Sequence, residues 1–171
     1  EDIVYKPYQL TASAKTFDYQ ETRNEEVETP QVSGLDVAID WRPYKDSMYI
    51  STKEKSFDMY QAGLHTLDGT LILTPGGIKG IGVLDWDKAV MRSPLFAFGA
   101  NSATADTTTL SIKAENGTEV ALSTSNVAGS VDFDTGKAEF KANNKIAVNK
   151  QPYNKYETSM NALDWNMDAE E

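Results

Sequence analysis

The sequence predicts an all-β protein of antiparallel strands, arranged as a β-sandwich or a short stack of β-hairpin layers with internal repeats. Three observations predict it. Runs rich in Val, Thr and Ile alternate in polarity with a period of two, as half-buried strands do. Turn-forming clusters punctuate the chain at short intervals, among them Pro75-Gly76-Gly77, Asn116-Gly117, Asp134-Thr135-Gly136 and Asn143-Asn144. A short pattern, aliphatic–Asp–aromatic, occurs four times. Helical periodicity is missing: the nearest approach to an i, i+3, i+4, i+7 stripe, Tyr60 to Leu67, is broken by Gly63.

Taken in order, residues 1–33 read as an N-terminal extension. Its alternating positions, Ile3 and Tyr5, then Phe17 and Tyr19, can add one or two strands, and the polar stretch 20–33, with Pro30, reads as a linker. Residues 34–171 read as a repeat-built β domain. Its clearest strands are Gly69 to Thr74, Gly80 to Trp86, Thr107 to Lys113 and Thr118 to Thr124.

The repeated pattern stands at Ile39-Asp40-Trp41, Leu84-Asp85-Trp86, Val131-Asp132-Phe133 and Leu163-Asp164-Trp165. Three of the copies share a wider context, Gly82-Val-Leu-Asp-Trp-Asp, Gly129-Ser-Val-Asp-Phe-Asp and Asn161-Ala-Leu-Asp-Trp-Asn. In a strand the aliphatic and aromatic residues share one face and the Asp between them points the other way. The polar residue that follows opens a turn, and a second strand returns through Ala89-Val-Met91 or Lys137-Ala-Glu-Phe140. Each copy is thus a strand–turn–strand unit whose ring packs a repeated core layer. Trp86 and Phe133 are expected inside, Asp85 and Asp132 outside, and Trp41 and Trp165 in the core with them. The fourth copy has no return strand before Glu171, so residues 161–171 are expected to fray or to pair with another molecule, as in a piece of a longer chain.

Composition excludes several functions. The 171 residues are 40% hydrophobic and 25% charged, enough for a core and too apolar for wholesale disorder. No apolar run approaches the length of a transmembrane helix, so no transmembrane segment is expected. With no Cys and the single His65, thiol nucleophiles, disulfide frameworks and His-rich metal sites are out. The net charge of −10 argues against nucleic acid as a partner. The acidity belongs to the ends: residues 1–30 hold 7 acids and 3 bases, residues 157–171 hold 5 acids and no base. The start at Glu1, without a basic or apolar leader, reads as a mature or excised piece.

The candidate sites are few. Asp85-Trp86-Asp87 and Asp132-Phe133-Asp134 place two carboxylates on one strand face, but the glycine and bidentate Glu of a calcium loop are missing, and turn formation accounts for them. The glycines of 74–82 precede a strand rather than a helix, which reads as a turn and a glycine-bearing strand instead of a phosphate cradle. His65 lacks any nucleophile motif and reads as structural. Asn116-Gly-Thr118 matches a glycosylation acceptor. No catalytic residue, metal ligand or cofactor is assigned. The binding candidates are Tyr153 and Tyr156, aromatic residues in a polar stretch with Pro152, Asn154 and Lys155, where an exposed ring can stack on a sugar.

The run Leu67-Asp-Gly-Thr-Leu-Ile-Leu-Thr-Pro-Gly-Gly-Ile-Lys-Gly-Ile-Gly-Val-Leu84, with Ser93-Pro-Leu-Phe-Ala-Phe98 and Thr104-Ala-Asp-Thr107, resembles repeat-built bacterial envelope proteins. These are the periplasmic lipopolysaccharide-transport (organic-solvent-tolerance-like) family and the large repetitive surface proteins of Bacteroidetes-type bacteria. The resemblance covers residues 64–142 and rests on strand rhythm and glycine placement, so no functional residue carries over. It implies a non-enzymatic scaffold or a lipid-conducting β-groove in the periplasm, at the cell surface or secreted. The expected function is accordingly a non-catalytic envelope module, structural or binding, with a glycan, a lipid or neighbouring repeats of the same protein as partner. The alternative is a carbohydrate-active enzyme or its sugar-binding accessory domain.

Overall fold

A computed structural model describes residues 3–6, 8–20, 29–60, 63–115, 119–144, 147–152 and 154–167. They form β1 (Ile3–Lys6), β2 (Gln9–Tyr19), β3 (Val32–Arg42), β4 (Ser47–Thr52), β5 (Phe57–Met59), β6 (His65–Thr74), β7 (Gly77–Trp86), β8 (Ala89–Phe98), β9 (Ser102–Lys113), β10 (Val120–Asp132), β11 (Lys137–Ala142), β12 (Ala147–Gln151), β13 (Tyr156–Met160) and β14 (Ala162–Asn166). One 3₁₀ turn, Pro43–Lys45, joins β3 to β4. The protein is all-β: the fourteen strands belong to one antiparallel sheet, ordered β1-β2-β3-β4-β6-β7-β8-β9-β10-β11-β14. The N-terminal strands β1 and β2 belong to it as well, β2 pairing with β3 from Leu10↔Trp41 to Tyr19↔Val32.

The turns follow from local chemistry. Between β6 and β7, Pro75-Gly76 closes the hairpin and the Thr74 hydroxyl donates to the Gly77 carbonyl at 3.0 Å. Between β10 and β11, Asp132 Oδ1 accepts the backbone N–H groups of Asp134 and Thr135 at 3.0 and 2.9 Å, and Gly136 takes φ 62°. Asp132 is exposed, and its carboxyl is held below the ordinary range by those donors, the Thr135 N–H foremost.

The sheet is creased across its middle. The long strands β2, β3 and β6 to β10 carry an irregularity at about the same level. In β2 and β3 the ladder skips Lys15 and Asp36, and Asp36 has φ 50°. In β6 and β7, Gly69 and Gly82 face each other at φ 154° and 137°. In β8, Ser93 pairs with Gly82 but Phe96 with Gly80. In β10, the register shifts on either side of Val127, beside Asn126 at φ 57°. Elsewhere the crease falls in a chain break. The outer partner of β3 changes from β4 to β5, and that of β10 from β11 to β12.

The bulges preserve the inward face. A strand alternates, so a bend with one extra residue resets the phase: Ala14 and Phe17, Val37 and Gly34, Phe96 and Ser93, Ala105 and Thr108 all turn inward although three residues apart. The two halves of the sheet then face each other. A Cβ on Gly129, in one half, would lie 3.2 Å from Met91 in the other, and one on Gly80 would lie 3.1 Å from Leu67. The buried core lies between them, with Phe57, Ile50, Leu67, Leu84, Met91, Phe96, Leu110 and Phe140 fully covered.

The four copies of the pattern sit at strand ends. Trp86 is buried and Asp85 faces outward to an ion pair with Lys113 Nζ at 2.7 Å. Phe133 is half-buried against the core. Trp41 departs from the expected core position: it is 40% exposed, because what lies opposite it is a cleft instead of another layer of rings. The fourth copy is paired within the chain rather than frayed, Leu163 opposite Phe140 and Trp165 opposite Ala138, with both side chains partly covered.

Candidate functional site

Opposite the crease the two halves of the sheet end in two lips. Over the middle of the molecule the lips are sealed by rings. Tyr60, just past β5, stands on one side with His65 at the start of β6 and Trp86 at the end of β7. Phe133, just past β10, reaches them from the other. Ring centroids lie 4.3 Å apart for His65–Phe133, 5.0 Å for Tyr60–Phe133 and 5.7 Å for Trp86–Phe133. Tyr60 Oη donates to the Ser102 carbonyl at 2.8 Å, tying the end of β5 to the start of β9. The Phe133 N–H donates to the Asn101 carbonyl at 2.8 Å, fixing the ring that bridges the lips. Two copies of the repeated pattern thus supply rings from opposite lips to one seal.

Burial sets the protonation states here. It pushes the Tyr60 phenol far above its ordinary range, so the hydroxyl remains a donor. It pushes the His65 imidazole down, against the opposing charge of Asp58. His65 Nδ1 and Trp86 Nε1 are buried without a hydrogen-bond partner, which favours a neutral imidazole further. The seal gives His65 a packing role against Phe133 and Tyr60.

Beside β2, β3 and β4 the lips do not meet among the described residues. A cleft of about 480 Å³ opens there. Trp41, Met48 and Leu73 form one wall, in register across β3, β4 and β6. The end of β2 forms the other, with Tyr19 turned inward, while Asp18, in line with Ser33 and Asp58, faces the outer side of the sheet. Asp46 stands at the rim, where it ends the 3₁₀ turn in a left-handed conformation at φ 46°. Among the described residues the cleft therefore sets a half-exposed indole beside the Asp46 carboxylate, with no Lys or Arg in its lining. This arrangement can stack an apolar ring face and accept hydrogen bonds from hydroxyl or ammonium groups.

A larger hollow, about 530 Å³, lies on the outer face over β1 to β4. Its charges are already spent on each other. Asp40 accepts from Arg42 Nη2 at 2.7 Å and from Gln9 Nε2 at 2.7 Å, and the guanidinium lies 4.6 Å over the Tyr49 ring. These bonds, Arg42 first, hold the Asp40 carboxyl below its ordinary range. The Asp here is the middle residue of the first copy of the pattern, facing outward as that pattern requires.

The residues singled out from the sequence lie elsewhere. Tyr156 opens β13 opposite Gln151 and is 66% exposed, on the C-terminal side of the sheet order, whereas the cleft lies at β2 to β4. Tyr153 and the Asn116-Gly-Thr118 pattern lie outside the described residues. The D-x-D pairs are spent on the turn at Asp132 and the Lys113 ion pair at Asp85. Among the described residues no group of three or more His, Asp and Glu side chains is placed to hold a metal ion, and no helix is long and apolar enough to cross a membrane. The residues of the cleft were missed, although one signal marks them. The Trp41 copy alone is followed by Arg42-Pro43 instead of the Asp or Asn that opens a tight turn. No family model, curated protein or solved structure matches the chain.

Proposed function

We propose that the chain is a non-catalytic module of the bacterial cell envelope, built of stacked, folded layers and carrying a binding mouth. The observation that supports this reading best is the contrast between the two stretches of the lips. Rings close them over Tyr60, His65, Trp86 and Phe133, and they stay open beside Trp41. A mouth of this kind is formed by the layering itself. Each layer is one strand, or two short strands end to end, bent at the crease, and the aliphatic–Asp–aromatic pattern places a ring at the lip. Among the described residues the titratable groups that the fold perturbs are each engaged in structure: Asp40 and Arg42 in their network, Asp132 in its turn, Tyr60 and His65 in the seal. The likeness of residues 64–142 to repeat-built envelope proteins supports the placement in the periplasm, at the surface or outside the cell.

The second reading, a carbohydrate-active enzyme or its sugar-binding accessory domain, draws on the half-exposed Trp41 ring beside the Asp46 carboxylate in one cleft. Two measurements test the module reading, the second of them against an enzyme. The first is fractionation of cells expressing the full-length gene product, which should place it in the envelope or the medium. The second is incubation of the purified chain with a polysaccharide panel followed by product chromatography. Intact substrates are expected; turnover of any of them would overturn the non-catalytic reading.

A further inference from the structure

We infer that the ring seal is a proton-operated latch: when the His65 imidazole takes up a proton, the lips part between Tyr60 and Phe133 while the crease on the far side holds. The inference goes beyond the module reading and does not depend on what the module binds. Three features carry it.

The first is position. Tyr60, His65 and Trp86 stand on one lip, and Phe133 and the Ser102 carbonyl on the other. The closest ring contact of the seal, 4.3 Å, is the one between His65 and Phe133. The strands that carry His65 and Trp86 to their lip, β6 and β7, are bent at Gly69 and Gly82, where the two glycines face each other at φ 154° and 137°. A change at the lip therefore acts on short strand ends beyond a bend, with the rest of both strands held in the ladder.

The second is the want of an acceptor. His65 Nδ1 is buried without a hydrogen-bond partner. Trp86 Nε1, on the residue paired with His65, is already a buried donor without an acceptor. In a neutral ring Nδ1 can stand as a bare acceptor, whereas in the imidazolium both nitrogens are donors and the ring carries a charge. Aromatic neighbours are weak acceptors for such an N–H, and an unmet charged donor costs more than an unmet neutral acceptor. Water beyond the lips supplies the missing acceptor.

The third is the charge around the ring. From β5, Asp58 attracts a proton to His65, but its Oδ1 accepts the Gly63 N–H at 3.0 Å. From β7, Asp85 is paired with Lys113, and Asp87 and Lys88 are exposed in the turn that follows. From the turn after β10, Asp132 accepts two backbone N–H groups and Asp134 accepts from Asn101 Nδ2 at 2.9 Å. The Tyr60 hydroxyl is a donor, given to Ser102. None of these groups is bonded to Nδ1, and burial outweighs Asp58, so the closed seal holds the neutral ring. An open seal returns the imidazole to its ordinary value of about 6.5, so opening is favoured as pH falls through that value. Linkage limits the gain in open form to about tenfold by pH 5.5.

The test is amide hydrogen exchange, read by mass spectrometry at about pH 7.5 and about pH 5.5 and corrected for intrinsic rates, on the parent, His65→Phe and His65→Gln. In the parent, protection of peptides over 57–67, 98–104 and 131–136 should fall about threefold to tenfold at the lower pH, while residues 91–97 and 105–110 in β8 and β9 keep theirs. Both variants lack the proton site and should show no such local fall; the Gln variant decides the matter if a sixth ring in place of His65 disturbs the packing. An equal fall in the variants would assign the response to carboxylates. An equal fall in β8 and β9 would make it global unfolding, and an unchanged parent would leave the seal shut at both pH values. Each of these three results overturns the latch.

Discussion

Gly69 and Gly82 face each other at the crease, and there the backbone leaves no room for a side chain. A Cβ on Gly69 would fall 1.9 Å from the Ile81 carbonyl oxygen, and one on Gly82 would fall 2.1 Å from that of Asp68. Both residues also hold φ values that L side chains rarely adopt. Gly69→Ala should therefore cost more than about 2 kcal/mol, or roughly 4–8 °C in midpoint for a domain of this size. Gly76→Ala, in open space and at an ordinary φ, should leave the midpoint nearly unchanged. Thermal melts of the two variants side by side check this; equal effects would remove the crease as a constraint. His65 gives a pH dependence of known sign. Its folded pKa is lowered by burial, so the fold prefers the neutral ring. The stability it contributes is complete above the unfolded value of about 6.5 and is lost as pH falls from there toward the lowered folded value. His65→Phe keeps a ring in the seal and removes the proton site. The fall in midpoint between about pH 7.5 and 5.5 should be smaller in this variant than in the parent, and equal falls would assign the pH response to other groups.

At the scale of the element, the strands were legible because a two-residue period is written directly in the side chains. Residues 69–74 and 80–86 read as strands and are strands, and Asp134-Thr-Gly136 read as a turn and is one. The crease was hidden by the same rule. At Ser93 and Phe96, or Ala105 and Thr108, the inward residues are three apart, and a local pattern cannot distinguish a bulge from the end of one strand and the start of the next. The mouth was hidden for a further reason. Whether a strand-end ring is covered depends on the lip it meets, as Trp86 meets Phe133 and Trp41 meets the cleft beside Tyr19, and these partners come from strands distant in sequence. One prediction separates bulge from strand break. Deleting Asn126 removes the extra residue that lets both Thr124 and Val127 face inward, so one half of β10 must present its polar face to the core. The variant should lose most of its cooperative unfolding transition. Asn126→Gly, which keeps the count and suits φ 57°, should melt within about 0.5 kcal/mol of the parent or slightly above it.

The whole molecule is held by two closures, the crease on one side and the ring seal on the other, and its weakest places are where neither acts. At the C-terminal side β14 pairs with β11 and β13 with β12, and the second edge of each has no strand partner among the described residues. β13 is exposed along nearly its whole length, and Leu163 and Trp165 are only partly covered. An added hairpin laid on this edge would satisfy a row of backbone groups and cover the two inward side chains, as a further layer does for β7 or β9 inside the sheet. Continuing the chain by one such hairpin should therefore raise the thermal midpoint by about 2–4 °C for each 1 kcal/mol gained, and should slow amide exchange in β13 and β14 first. The interior layers already have partners on both sides, so exchange in β7, β8 and β9 should change only with global stability. An extension that leaves both the midpoint and the exchange of residues 156–166 unchanged would show that this edge does not receive a further layer, and the stacked-layer reading of the module would fall with it.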